Sequence, residues 1–263
     1  MHATRPAAVA GQFYSDDASD LADVVDSFLQ DHQPVCQSQP AALIAPHAGY
    51  IYSGAVAGKA FAELEPWQNH IDRVVLIGPA HHVRLRGMAV PRAGYFHTPL
   101  GDVTLDTREI QALSELPDVT YNDEAHAHEH SLEVQLPFLQ RVLDDFHLVP
   151  VAVGQLNAQE VLPVLQRYWG KARTVIVIST DLSHYLDHDS AETLDALTAE
   201  AVADQEPERI GEAQACGREA LQALLTLTRQ HHAHVHQLAL VNSGDTAGPR
   251  DRVVGYGAWA VEP

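Results

Sequence analysis

The chain has 263 residues, enough for one large α/β domain with a sizeable core, and 16 Lys and Arg against 35 Asp and Glu leave a formal net charge of −19. A field of that sign repels phosphate and argues against nucleic-acid or anionic-membrane partners. No run of about 18 apolar residues offers a membrane span. The opening stretch, Met1 to Pro6, carries no secretory pattern, and two cysteines, Cys36 and Cys216, are too few for a disulfide framework, so a reducing, cytoplasmic setting is expected.

Leu21, Val24, Val25, Phe28 and Leu29 fall at helical spacing and predict an amphipathic helix over 16–30. A polar loop with two prolines follows. Residues 42–45 then read as a short apolar strand that runs into Pro46-His47-Ala48-Gly49. Pro46 cannot donate to a ladder and Gly49 tolerates positive φ, so the strand stops and leaves His47 at the sheet rim. An Ala-rich helix is expected over 53–67 with Ser53 as its N-cap. The next apolar run, 73–78, breaks into Pro79-Ala80-His81-His82, which completes a βαβ unit and predicts parallel pairing. A short strand is expected within 87–91, a turn-rich loop over 95–102, a strand over 103–105 and a helix over 106–116.

The polar patch 123–130 precedes a helical pattern over 131–144, in which Pro137 must kink the helix or sit in its first turn. A strand over 147–154 and a helix over 158–169 lead to a third apolar strand, 174–178, which ends in Ser179-Thr180-Asp181-Leu182-Ser183-His184. Helices are expected over 191–203, 207–215 and 217–229, and strands over 235–241 and 252–261. The whole chain, 1–263, reads as one α/β domain: three α/β/α layers around a central mixed, largely parallel sheet.

Three strands that each deliver a histidine to a loop point to one site at their C-terminal ends, where open α/β sheets bind ligands. Neutral imidazole is the commonest metal ligand, and its second nitrogen is usually held by a carboxylate or carbonyl. His47, His81 and His184 are therefore candidate ligands, and Asp181 is a candidate to hold His184 or to reach a metal itself. The bland alternative is that each histidine only bonds to backbone. His82, next to His81, is expected at the site's second layer or in solvent, and Glu129 and His130 near substrate or a ligand, unless that patch is only a capped helix start. Cys216 precedes a predicted helix; a thiol there is expected to have a depressed pKa, which suits a ligand or nucleophile, while a small buried hydrophobe is the alternative. The tract His231-His232-Ala233-His234-Val235-His236 looks metal-binding, but its expected place on an exposed turn favours adventitious affinity.

Six segments occur in an order that resembles the Memo family: Ala45-Pro46-His47-Ala48-Gly49-Tyr50, Gly78-Pro79-Ala80-His81-His82, Glu129-His130-Ser131-Leu132-Glu133, Ser179-Thr180-Asp181-Leu182-Ser183-His184, Cys216-Gly217-Arg218 and Asn242-Ser243-Gly244-Asp245. The resemblance spans 11–256. That family is similar in fold to class III extradiol ring-cleaving dioxygenases, which hold non-haem Fe(II) with two His and a Glu and use a further His as acid/base. The resemblance implies His47 and His81 as metal ligands, Cys216 in place of the Glu, and His184 as acid/base with Asp181 beside it. It implies Fe(2+) as the cofactor; a thiolate donor also suits Cu or Zn. The implied activity is an oxygen-dependent oxidoreductase on a small chelating substrate. A binding or scaffold protein with a relic pocket, taking a peptide, is the rival reading, and a zinc hydrolase a third. The resemblance also implies radical-SAM system proteins as partners in bacteria.

Overall fold

The computed structural model describes residues 3–263. Its strands are β1 (Thr4–Arg5), β2 (Ala42–Ala45), β3 (Arg73–Pro79), β4 (Met88–Val90), β5 (Tyr95–Thr98), β6 (Gly101–Thr104), β7 (Val119–Tyr121), β8 (His147–Val153), β9 (Thr174–Ser179), β10 (His184–Leu186), β11 (His234–Asn242) and β12 (Val253–Glu262). Its helices are α1 (Ala18–Gln30), α2 (Tyr50–Ala62), α3 (Thr107–Leu113), α4 (Glu124–Ala127), α5 (His130–Glu133), α6 (Leu136–Val142), α7 (Ala158–Tyr168), α8 (His188–Ala203) and α9 (Arg218–His231).

The main sheet runs β10-β12-β2-β9-β3-β8-β4-β7, with β11 also paired to β12. Its centre, β2-β9-β3-β8, is parallel, and its strands are buried and almost uninterruptedly apolar, as strands covered on both faces must be. Antiparallel strands join on both sides, β12 against β2 and β4 against β8. Helices α1, α2 and α6 pack together on one side; α7 packs with α9 on the other, and α8 lies against β11 and β12. This is the expected three-layer α/β/α arrangement around a mixed sheet. A small sheet, β1-β5-β6, stands apart.

Several elements differ from the sequence expectation. Helix α2 begins at Tyr50, three residues before the expected cap. The Tyr50 amide donates to the Phe13 carbonyl, so backbone satisfies the helix start and Ser53 Oγ instead donates back to the Ala48 carbonyl. The expected loop over 95–102 is the β5–β6 hairpin, because the β-forming Tyr95, Phe96 and Thr98 confine the turn to Pro99 and Leu100. The helix over 131–144 is broken into α5 and α6, with Pro137 in the first turn of α6. Residues 207–215 form only a short 3-10 turn, Pro207–Arg209: no apolar stripe runs along them to bury a helix face. Strand β7 has no counterpart in the expected elements.

Candidate metal centre

Parallel pairing puts the ends of β2, β3 and β9 on one edge of the sheet, with Ala45 level with Ser179. His47, His81 and Asp181 each lie two residues beyond the last residue of those strands. The fourth contributor, Cys216, arrives on the loop before α9. Its amide donates to the Asp181 carbonyl, and the Gly217 amide donates to Thr180 Oγ1 at 2.9 Å. A Cβ at Gly217 would sit 2.9 Å from the Ser179 carbonyl oxygen, so only glycine lets the loop press this close to β9.

Hydrogen bonding fixes the ring states. Ser179 Oγ donates to the Ser131 carbonyl at 2.6 Å and accepts from Gln135 Nε2 at 2.9 Å. Its proton is spent, so at 2.8 Å it accepts from His47 Nδ1–H, and the lone pair of His47 is left on Nε2. His81 Nδ1 donates to Glu129 Oε1 at 2.9 Å, which leaves its Nε2 bare as well. The same carboxylate accepts from the amides of His81 and Ser131. Burial opposes the charge of Glu129, but the His81 and Ser131 donors prevail and hold its carboxyl down at about 2. Glu129 thus takes the part of the carboxylate that orients a metal-binding histidine from behind.

His130 completes a nitrogen cluster. One donor atom each from His47, His81 and His130 lies within 4.8 Å of the others, and the His81 and His130 rings stack with centroids 4.7 Å apart. Burial, reinforced by the neighbouring imidazoles, pushes His47 down to about 3 and His130 to about 4. Both are neutral at physiological pH, the state in which imidazole binds metals. His82 is exposed and touches the cluster from outside, its Nε2 3.4 Å from His130 Nδ1.

Cys216 Sγ lies 3.3 Å from His47 Nε2, which accepts from the thiol, and the Asp181 amide donates to the sulfur at 3.3 Å. The expected depressed thiol pKa is overturned. Burial, with the Asp181 carboxylate adding to it, pushes the thiol up to about 12, and this outweighs the nearby amide. Asp181 is buried too, and burial raises its carboxyl. Its Oδ1 accepts from the His47 amide at 2.8 Å and its Oδ2 lies 3.9 Å from His47 Nε2. Asp181 therefore braces His47, not His184. His184 Nδ1 donates to the Leu182 carbonyl at 2.8 Å. The next residue, Tyr185, holds left-handed backbone at φ 62°, a strain that recurs at functional sites.

These residues line a cavity of about 770 Å³ that includes His47, His81, His130, Asp181, His184 and Cys216. Phe13, Tyr52, Tyr185 and Tyr256 add aromatic wall, and Arg252, stacked on the Tyr185 ring at 4.4 Å, adds a cation. The structure thus brings His47, His81, His130, Asp181, His184 and Cys216 around one opening, with Glu129 behind His81 and His82 at the margin, while the tract 231–236 lies elsewhere. Sequence reasoning missed Ser179 and Gln135, which set the His47 tautomer. It also missed Arg5, which donates to the Glu129 carbonyl and pairs with Glu133 in the α5 segment. Ser179 was visible as the residue closing an apolar strand; Gln135 and Arg5 carried no local signal.

A family model described as Memo-like protein matches residues 5–260. The chain belongs to the Memo family. It is 34% identical to a MEMO1 family protein of Ignicoccus hospitalis, over 97% of both chains. It is 32% identical to one from Metallosphaera sedula over 96% of this chain and 97% of the relative. A third, from Archaeoglobus fulgidus, is 31% identical over 94% and 95%. Among the described residues, no helix is long and apolar enough to cross a membrane.

Proposed function

We propose that His47, His81 and Cys216 hold a single transition-metal ion, Fe(II) first, and that the protein is an oxygen-dependent oxidoreductase acting on a small chelating substrate. The observation that carries the reading is the 3.3 Å between Cys216 Sγ and the bare Nε2 of His47. Metal–sulfur and metal–nitrogen bonds of about 2.3 and 2.0–2.1 Å space neighbouring donors about 3.1–3.6 Å apart at angles from ~90° to ~110°. The pair is thus already set at ligand spacing. His81, whose bare Nε2 is backed by Glu129, brings a donor within 4.8 Å of those of His47 and His130.

The bound ion would supply Lewis-acid and redox chemistry at the cavity floor. The chain's own residues do the rest. Phe13, Tyr52 and Tyr256 line the cavity and suit a planar substrate, and Arg252 suits an anionic one. His184, with its Nδ1 proton committed to Leu182, presents Nε2 as a proton acceptor. Asp181, with its raised carboxyl, keeps His47 in place and offers a second proton-carrying group. His130, whose donor lies within 4.8 Å of those of His47 and His81, would contact substrate held at the ion.

Elemental analysis of untagged protein purified without oxygen tests this. Near-stoichiometric iron is expected in wild type and His130→Ala, and its loss in His47→Ala, His81→Ala and Cys216→Ser. Metal retained in Cys216→Ser but lost in His130→Ala would transfer the site to three imidazoles. Zinc in place of iron, lost on His47→Ala, would favour a hydrolase, and an iron-loaded protein that consumes no oxygen with a catechol panel would favour a binding role.

A further inference from the structure

The histidine tract 231–236 takes no part in that centre, and its last member does not lie on an exposed turn. His236 stands on β11 with Nε2 3.0 Å from Oε2 of Glu262 on β12. Cys36, in the loop ahead of β2, is buried against them. One donor atom each from Cys36, His236 and Glu262 lies within 4.8 Å of the others. The His236 side chain is 33% exposed and that of Glu262 12%, so the cluster is covered yet reachable.

The loop bearing Cys36 is fixed by two carboxylates. Glu262 Oε1 accepts from the amides of Gln37 and Ser38 and from Ser38 Oγ, which leaves Oε2 for His236. The fully buried Glu63 accepts from the amides of Val35 and Cys36 and from His32 Nε2. Burial drives the Cys36 thiol far above its ordinary range and the Glu63 and Glu262 carboxylates add to it; those two negative charges are what favour an incoming cation.

We propose that Cys36, His236 and Glu262 form a second metal site, which binds one zinc ion per chain and ties the loop before β2 to the β11–β12 pair. Thiolate, imidazole and carboxylate are the donors zinc takes, and water fills the fourth position. Zn–N and Zn–O bonds of about 2.0–2.2 Å space their donor atoms about 2.9–3.5 Å apart, which matches the His236–Glu262 separation. On binding, the Cys36 thiol gives its proton to solvent and His236 moves its ring proton to Nδ1. No bond to carbon is made or broken.

The chain has two cysteines, so in Cys216→Ser protein the sole thiol is Cys36. Metal-stripped Cys216→Ser protein is titrated with Co²⁺. A thiolate-to-cobalt charge-transfer band is expected, saturating at one equivalent, displaced by Zn²⁺ and unaffected by a further His47→Ala change. Cys36→Ser should abolish it, while His236→Ala or Glu262→Gln should weaken Co²⁺ binding at least about tenfold. His236 is partly exposed, so its substitution carries the test even if Cys36→Ser misfolds. Absence of the band in Cys216→Ser protein overturns the site, as does a band indifferent to both His236→Ala and Glu262→Gln. Failure here leaves the His47–His81 centre standing, because no donor is shared.

Discussion

Metal loading at the His47–His81–Cys216 centre should release one proton, and Cys216 should be its source. The folded protein holds this thiol near 12, so it stays protonated at any physiological pH until the ion takes its electron pair. His47 and His130, held near 3 and 4, have no proton to give at neutral pH, and imidazoles in general have lost theirs by about pH 7.5. Above that pH the apparent affinity should therefore rise tenfold per pH unit, about 1.4 kcal/mol, and about 30-fold between pH 7.5 and 9. The sign follows from the direction of the shift: a raised thiol pKa means that protons compete with the metal throughout this interval. Competition of Zn²⁺, a redox-silent probe, against a chelator of known pH dependence measures the slope. Cys36→Ser protein is used, so that Cys216 is the one thiol present. A further Cys216→Ala change should flatten the profile. A flat profile while Cys216 is present, or an unchanged slope after its removal, would refute thiolate ligation.

Glu129→Gln should lower metal affinity about 10–100-fold, because a carboxamide cannot accept from His81 Nδ1, His81 N and Ser131 N together; the same chelator competition reads it. The buried His47, His126 and His130 have folded pKa values of about 3, 4 and 4, well below the ordinary imidazole range. The unfolded chain therefore binds more protons below about pH 6, and metal-free stability should fall by about 1.2 kcal/mol for each of them between pH 6 and 5. Urea midpoints in chelator check this, and a pH-independent midpoint contradicts it. Arg5→Ala should cost about 3–5 kcal/mol, since it leaves the buried Glu133 charge with only the Ala8 and Val9 amides and the Tyr14 hydroxyl. Equilibrium denaturation should show the loss, with metal affinity also reduced because Arg5 supports the Glu129 carbonyl.

The strand-end histidines were legible because a parallel strand announces itself as an unbroken apolar run, and Pro46 and Pro79 mark where two of those runs stop. Each run, with its first residues beyond the ladder, predicted a shared edge. What sequence could not carry is anything settled by a contact between remote segments. The His47 tautomer depends on Ser131, Gln135 and Ser179 meeting at one hydroxyl. Asp181 lies three residues from His184, and local spacing suggested that pair; the turn after β9 sends its carboxylate to the His47 amide, a partner 134 residues away. The Cys216 pKa failed for a related reason. Proximity to a helix start is a local property that lowers a thiol pKa, whereas burial is a tertiary one that raises it, and here burial prevails.

The same competition explains why a metal, and not a proton, suits this pocket. His47 and His130 have been taken out of water to a degree that forbids their protonation, yet Glu129 stays ionised and Asp181 and Cys216 are pressed toward their neutral forms. Bare nitrogens, one fixed carboxylate and a reluctant thiol form a site short of positive charge. On the proposed ligand set, a divalent ion would supply that charge, with Cys216 as thiolate and the lone pairs of His47 and His81 to hold it. The hydrogen bonds that set those lone pairs come from Ser179 and Glu129, themselves tied together through Ser131, so both rings are oriented before any ion arrives. A Ser179→Ala variant isolates this contribution: it removes the acceptor for His47 Nδ1–H without altering a ligand, and freeing the ring to take either tautomer should weaken metal binding while the fold persists.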